Sequence, residues 1–582
     1  MRPRTALRAL WPYMRRYRGG LTRGFGALFL KVVTAAALPV LIGAGVDSLA
    51  DGFRMEILVW FVAALVACSA LKGLFQYWMR VILIGISRDV EYDLRNDLFR
   101  RLTGLSSNFY AKYRTGDIMA RSTNDLNAVR MMLGPGVMYW SETILTFVFA
   151  IAVMVSVDWR LTMVALLPAP LVTLVVVIFG RRIHDRFERI QKMFSDISSR
   201  VQENLSGVRV VRAYVQEESE MELFERINRG FVTENIKLAR ISGLFMPLLQ
   251  ALIGLTFLAV LWGGGYRVLH GGITLGDFVM FNTYMGLLVW PMIALGWVVN
   301  LMQRGTASLK RIQELMEEKP AIASPNAPVS LGDRARGEIE FRNVSVRYGE
   351  MYALRNVSLK IPAGSTVAIV GHTGCGKSTL MQLIPRLIDP TSGEVRMDGV
   401  DLRELSLDEL RRQIGFVPQE TFLFSASLAE NIAFGVEEAS EKQIRRAAEL
   451  AGLALDVAAF PNGYETMVGE RGVTLSGGQK QRTAIARAIL RDPAVLILDD
   501  ALSSVDTITE ERILTGLAEV MHGRTTILIS HRVSTVRNAD RIYVLERGSV
   551  VEAGSHAELL EQQGYYAELY QKQLLEEELE AS

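Results

Sequence analysis

Cysteine is nearly missing from these 582 residues: Cys68 and Cys375 are the whole complement, one in each half, so neither half can close a disulfide within itself. Nothing in that usage points to an oxidising compartment. An excess of either charge is missing as well. The chain has 64 Lys and Arg against 62 Asp and Glu, a formal net charge of +2, whereas a domain that grips a phosphate backbone usually carries a basic excess. No nucleic-acid partner is expected. With 50% apolar and 22% charged residues, disorder, collagen and a small disulfide scaffold are excluded, and the length is too great for one ordinary domain. These averages hide an asymmetry: the long apolar runs all lie before about residue 300, and the remainder has the composition of a soluble enzyme.

A bilayer core about 30 Å thick takes about 20 mostly apolar residues as helix. Six stretches meet that length, at 24–46, 57–79, 137–157, 161–180, 243–264 and 276–297. The residues ahead of the first include Arg2, Arg4, Arg8, Arg15, Arg16, Arg18 and Arg23 and no acid, which by the positive-inside rule places this end in the cytosol. The first stretch is of span length, longer than the apolar core of a cleavable signal. Multi-pass insertion in the cytoplasmic (inner) membrane follows, with both the N-terminus and the soluble C-terminal half in the cytosol.

The connections alternate in length accordingly. Asp158, Trp159 and Arg160 alone separate spans three and four, and a turn around Gly271 and Gly272 separates five and six. The inner connections, about 80–136 and 181–242, are too long for turns and carry dense charge at helical spacing, as in Arg88, Asp89, Glu91, Asp93, Arg95 and Asp97. Helices running on from the membrane into the cytosol fit that pattern. A short crosswise helix is expected at each glycine break, over Tyr113–Asp117 in the first and Gly207–Tyr214 in the second. After Asn300 a charged helix meets Pro320, Pro325 and Pro328. The chain thus divides into a transmembrane region over 1–319, a linker over 320–336 and a nucleotide-binding region over 337–582. The expected fold is a polytopic α-helical membrane domain of six transmembrane helices with long cytosolic extensions, fused to an α/β P-loop domain.

The nucleotide assignment rests on a buried-strand run, Thr366–Val370, that leads directly into Gly371-His372-Thr373-Gly374-Cys375-Gly376-Lys377-Ser378-Thr379. Glycines let backbone N–H groups approach phosphates, Lys377 reaches the β and γ groups, and the Ser378 hydroxyl suits Mg²⁺. A second apolar run, Ala494–Leu498, ends on Asp499, a carboxylate delivered to the C-terminal edge of a strand where it serves the same metal. Between them, Leu475-Ser476-Gly477-Gly478-Gln479 opens an apolar helix, and free N–H groups with the helix dipole favour an anion there.

On these motifs, over essentially its whole length, the chain resembles the ATP-binding cassette exporters that fuse six spans to one nucleotide-binding domain. The resemblance implies that Ser476, Gly477, Gly478 and Gln479 contact the γ-phosphate of ATP held by a second cassette, so one chain is half of the machine. It also implies that Tyr348 stacks on adenine, Gln419 lies near Mg²⁺ and the attacking water, Asp506 in Ser504-Val505-Asp506 lies at the dimer seam, and His531 contacts the γ-phosphate. Thr466–Gly472 resembles the segment with which these exporters touch the cytosolic ends of the membrane helices. ATP and Mg²⁺ are the implied cofactors.

One position departs from the family pattern. Where glutamate is expected after the strand-end aspartate, to polarise the hydrolytic water, this chain has Asp500. A side chain one methylene shorter withdraws the carboxylate by about 1.5 Å, and a misplacement of about 1 Å already costs on the order of a hundredfold in rate. The expectation is a heterodimer with a related chain that carries glutamate at this position; a homodimeric exporter and an ATP-gated membrane protein are the alternatives. In the phosphate loop, Cys375 is expected to act as a small tolerated residue.

Along span six, Asn282, Gly286, Trp290, Ile293, Trp297 and Asn300 share one helical stripe beside Pro291, which either lines a cavity or packs helices. Lys31 and Glu142 lie at similar depth, about 8 to 11 Å inside their spans, where pairing is possible. An amphipathic drug or lipid is the expected cargo.

Overall fold

The computed structural model describes residues 8–52, 55–332, 334–469, 475–503, 507–530 and 532–581. The chain divides into two compact units, one of Met1–Thr103 with Arg114–Glu318, the other of Gly104–Tyr113 with Lys319–Ser582.

The first unit is helical. In chain order its elements are α1 (Arg18–Ala50), α2 (Met55–Thr103), α4 (Thr115–Val157), α5 (Trp159–Ser206), the short α6 (Val208–Ala213), α7 (Glu217–Leu269) and α8 (Leu275–Glu317), while the short α3 (Ser107–Lys112) between α2 and α4 is assigned to the second unit. The six long helices are apolar enough to cross a membrane. At about 1.5 Å per residue, α2 and α7 are about 75 and 80 Å long, more than twice a bilayer core. Trp60, Trp262 and Leu269 are turned outward, as suits a hydrocarbon solvent that backbone-satisfied helices tolerate.

The tight turns have local causes. Asp158 leaves α4 with extended backbone and caps α5, accepting from the N–H of Arg160 at 2.8 Å and of Leu161 at 3.2 Å. Its other oxygen lies 2.7 Å from Arg267 Nη2 on α7. At the α7–α8 turn Gly271 takes φ +69°, and Thr274 then forms a capping box with Asp277. Asp47 at the end of α1 accepts from Thr274 Oγ1 at 2.7 Å and Gly276 N at 2.6 Å. A Cβ at Gly276 would lie 2.1 Å from Gly43 O, so the close approach of α1 and α8 requires glycine.

Outside the apolar windows, buried ion pairs accompany buried Leu94, Leu98, Leu126 and Ile312. Buried Glu91 on α2 meets Arg88, Arg95 and Arg130 at 3.4, 2.6 and 3.3 Å. Asp125 on α4 accepts from Ser308 Oγ at 2.7 Å and pairs with Arg311, both on α8.

The two short crosswise helices differ from each other. The second stands between Gly207 and Tyr214 as the sequence predicts, with Val210, Tyr214 and Val215 exposed. The first precedes its expected place: Tyr113 and Arg114 are extended and link α3 to α4, while Gly116 lies inside the first turn of α4. A glycine near a helix start is tolerated, and the break falls instead at the extended Tyr113 and Arg114 that follow α3. This α3 segment belongs to the second unit, where Ser107 Oγ donates to Leu387 O at 3.0 Å and Leu105 and Phe109 are buried.

The second unit holds two sheets. An antiparallel sheet has the order β2 (Met351–Ile361), β1 (Ile339–Tyr348), β4 (Ser392–Met397), β5 (Val400–Asp401). The other runs β10 (Ser549–Gly554), β9 (Arg541–Glu546), β3 (Thr366–Val370), β8 (Thr525–Ile529), β7 (Val495–Asp499), β6 (Ile414–Val417), with only β10 antiparallel to its neighbour. Both β7 and β8 are buried at every residue, as parallel strands covered on two faces must be. One core, with Phe341, Leu354, Ile369 and Leu380, joins the sheets; a second, with Leu428, Leu453, Ile485 and Ile513, lies under the helices. The proline-rich segment after Glu318 is bonded to this unit: Leu407 N donates to Ser324 Oγ at 3.0 Å, and Glu409 Oε1 accepts from Ser330 Oγ and Leu331 N, both at 2.7 Å.

Candidate functional site

The parallel strands β3 and β7 flank β8 and end at the same edge of the sheet, so whatever follows each strand converges there. After β3 the chain turns through Gly371 (φ +151°), Gly374 (φ +82°) and Gly376 (φ +106°) into α9 (Lys377–Leu383). A Cβ at Gly371 would lie 2.2 Å from Leu545 O, and one at Gly376 would lie 2.5 Å from Ala353 O. Both the left-handed backbone and the room available therefore demand glycine. Lys377 is buried and folds back over the loop, its Nζ donating to Gly371 O at 2.7 Å and His372 O at 2.9 Å.

A cavity of about 320 Å³ opens at this edge, lined by Tyr348, Thr373, Gly374, Gly376, Lys377, Ser378, Thr379, Gln419, Asp499 and Asp500, with Ala353 and Ile529. The structure thus gathers most of the sequence-derived residues around one space. Tyr348 is half-exposed at its rim, where a planar base has a face to stack on. Asp499 and Asp500 are both buried. Asp500 takes a left-handed φ of +50°, a conformation that Asp tolerates better than most residues. Gln419 Nε2 donates to Asp500 Oδ2 at 3.4 Å. The backbone of Asp500 is fixed by Ile529 O, which accepts its N–H at 3.0 Å, and by Ser503 Oγ, which donates to its carbonyl at 2.9 Å.

Several expected residues stand apart. His372 and Cys375 do not line the cavity; the His372 ring packs edge-on against Tyr565 at 5.1 Å, and Cys375 is buried with Sγ 3.8 Å from Lys377 Nζ. Tyr565 belongs to α12 (Tyr565–Ala581), and burial raises its phenol above the ordinary tyrosine range. Ser476 is exposed and caps α10 (Gly477–Leu490), accepting from Gln479 N at 3.3 Å while Gln479 Oε1 accepts from Ser476 N at 3.0 Å. Gln479 Nε2 is anchored on Asp456 Oδ1 at 3.0 Å, and none of Ser476, Gly477, Gly478 and Gln479 lines the cavity. Asp506 and His531 lie outside the described residues, as do Ser504, Val505, Glu470, Arg471 and Gly472. The flanks of His531 are anchored: buried Glu510, on α11 (Thr507–Met521), accepts from Arg532 and from Thr535 Oγ1.

The donor set fits a Mg²⁺–triphosphate. Among the described residues no group of three His, Cys, Asp or Glu is assembled that would hold a metal by itself. Mg²⁺ takes one or two protein ligands and completes its shell with phosphate oxygens and water, which Ser378 and Asp499 on one cavity wall match.

Sequence reasoning missed Gln481, buried on α10, whose Nε2 reaches Ser503 Oγ at 3.1 Å and the Asp500 carbonyl at 3.5 Å. A buried amide on an otherwise apolar helix face was the available signal. In the membrane unit the span-six stripe separates. Gly286 and Trp290 line a cavity, Trp297 packs edge-on against Tyr139 at 5.5 Å, and Asn282 turns back to Phe278 O at 3.1 Å. Lys31 and Glu142 do meet as an ion pair.

Two family models match: ABC transporter transmembrane region over residues 21–292 and ABC transporter over 354–503. A probable multidrug resistance ABC transporter ATP-binding/permease protein of Bacillus subtilis, YheI, is 38% identical over 541 residues, covering 92% of each chain. An ATP-dependent lipid A-core flippase of Syntrophus aciditrophicus is 37% identical, covering 94% of this chain and 90% of its own. Among solved structures, a bacterial Atm1-family ABC exporter with ATP bound superposes with a TM-score of 0.78 at 30% identity, covering 96% of this chain and 98% of the other.

Proposed function

The chain belongs to the ABC transporters of exporter type, and we propose that it is the catalytically weak half of a heterodimer that exports amphipathic compounds, drugs or lipids, across the cytoplasmic membrane. The N-terminus and the cassette face the cytosol in this reading, as the arginines before the first span favour. Relatives named for multidrug resistance and for lipid A-core flipping support export of such compounds.

The observation that carries the reading is a mismatch within the cassette. The phosphate-loop cavity ends on Asp500, one methylene shorter than the glutamate of the family pattern, whereas the Ser476 helix N-terminus is exposed and fully capped. Such a chain lends a competent Ser476 face to a partner's nucleotide and holds its own nucleotide above a retracted base.

The chemistry follows from the side chains. Mg²⁺, when bound, neutralises β- and γ-phosphate charge. Lys377 exchanges its carbonyl partners for phosphate oxygens, and Thr373, Gly374 and Gly376 shape the cradle. Gln419 and Asp500 orient water at the cavity end, His531 contacts the γ-phosphate, and Asp506 belongs to the dimer seam. Closure of two cassettes on ATP drives the membrane helices because ATP binds the closed pair more tightly than the open one.

The test is ATP turnover by the purified full chain, alone and after co-expression with the cassette exporter half that co-purifies with it. Weak turnover alone and a rise of about tenfold or more on pairing are expected. Robust turnover by a homodimer overturns the heterodimer reading, and nucleotide use without substrate accumulation in vesicles would favour the ATP-gated alternative.

A further inference from the structure

Between α1, α2, α4 and α8 lies a cavity of about 190 Å³ whose wall is mostly apolar and aromatic, with Phe149, Tyr284 and Trp290, but includes three charged side chains, Lys31, Lys72 and Glu142. Lys31 is paired with Glu142, their side chains 9% and 22% exposed. Lys72 has no carboxylate partner among the described residues. Two lysines against one glutamate leave one positive charge of the wall uncompensated.

Charge in an apolar surrounding is costly unless paired. A cationic guest would add to the excess; an anionic one removes it by pairing with Lys72 and competing with Glu142 for Lys31. We propose that this cavity is the headgroup subsite for an amphiphile with one anionic group, a carboxylate or a phosphodiester, and that Glu142 occupies the place of that anion on Lys31 until it arrives. The apolar body of the guest lies against Phe149 and Trp290. Lys31 and Ala35, like Glu142 and Thr146, stand four residues apart on one helix face each, so the headgroup enters along the helices rather than across them. As a transport subsite the inference rests on the exporter reading; as a binding site it stands by itself.

The test uses the full chain in phosphatidylcholine nanodiscs and two fluorescent probes of equal length, dansyl-labelled undecanoate and dansyl-labelled undecylammonium. Undecanoate is expected to bind about tenfold more tightly than the ammonium. Lys72→Gln lowers undecanoate affinity about tenfold and Lys72→Arg restores it. Glu142→Gln, by freeing Lys31, tightens undecanoate binding about threefold, an outcome that a merely structural ion pair does not produce. Equal or tighter binding of the ammonium, or undecanoate affinity indifferent to Lys72→Gln, overturns the inference. Replacing part of the lipid with phosphatidylglycerol identifies the source: competition with undecanoate assigns the subsite to a lipid phosphodiester, and its absence assigns it to a free amphiphile, the anion site standing in both cases. ATP turnover of the same preparation is measured separately, so failure of the exporter reading leaves the probe selectivity untouched, and the reverse.

Discussion

The cassette has two surfaces for which a phosphate contact is proposed, and they are built in opposite ways. The phosphate loop is closed on itself: Lys377 is buried on its own carbonyls, Asp499 and Asp500 are buried at neighbouring positions, and Gln419 already touches Asp500. The Ser476 end of α10 is exposed, held by a capping box and by the Gln479–Asp456 bond, and is not part of the phosphate-loop cavity. A helix N-terminus with satisfied caps but an outward face is a surface prepared for a ligand supplied from elsewhere. On the proposed reading the first surface receives nucleotide and the second serves another molecule's.

That contrast is open to attack from either side. Lys377→Ala should have the largest effect, lowering ATP affinity and turnover of the chain's own site at least about a hundredfold by removing its phosphate-directed cation, as equilibrium binding of a fluorescent ATP analogue would register. If nucleotide still bound normally, the phosphate-loop side of the contrast would fail. Asp500→Glu should raise turnover about 10- to 100-fold by restoring the reach of the base, less whatever a glutamate loses at a left-handed backbone. No change in steady-state ATPase would mean that the local backbone already compensates for the missing methylene. Ser476→Ala should leave nucleotide binding to the purified chain within about twofold yet reduce turnover of the paired assembly about tenfold; an equal loss in both assays would erase the distinction. Asp456→Ala, which removes the anchors of Gln479 and of Arg482 at 2.9 Å, should lower paired turnover by only about threefold, because the capping box still orders the helix start.

The short helices repeat the contrast at lower resolution in sequence. Periodicity and a glycine break located α6, where Gly207 and Tyr214 bound the helix. The same logic misplaced α3, because Gly116 is absorbed into the first turn of α4 and the true stop is the extended pair Tyr113–Arg114. The burial of Phe109 within the second unit and the exposure of Val210 and Tyr214 depend on neighbours that local sequence does not encode.

The chain by itself determined what depends on short-range spacing: six apolar helices long enough for a bilayer, glycines where a Cβ would strike a carbonyl, a lysine and a serine at the start of α9, and a carboxylate at the end of β7. These follow from helix rise, steric exclusion and the continuous apolar run of a strand covered on both faces, which act over a few residues. Tertiary structure decided what depends on distance in sequence: the contact between Gln419 and Asp500, the grip of Gln481 on the Asp500 carbonyl, and the enclosure of Lys72 with the Lys31–Glu142 pair. Each joins side chains on separate elements, and the free energy of desolvating and pairing charge belongs to the assembled surroundings rather than to any one segment.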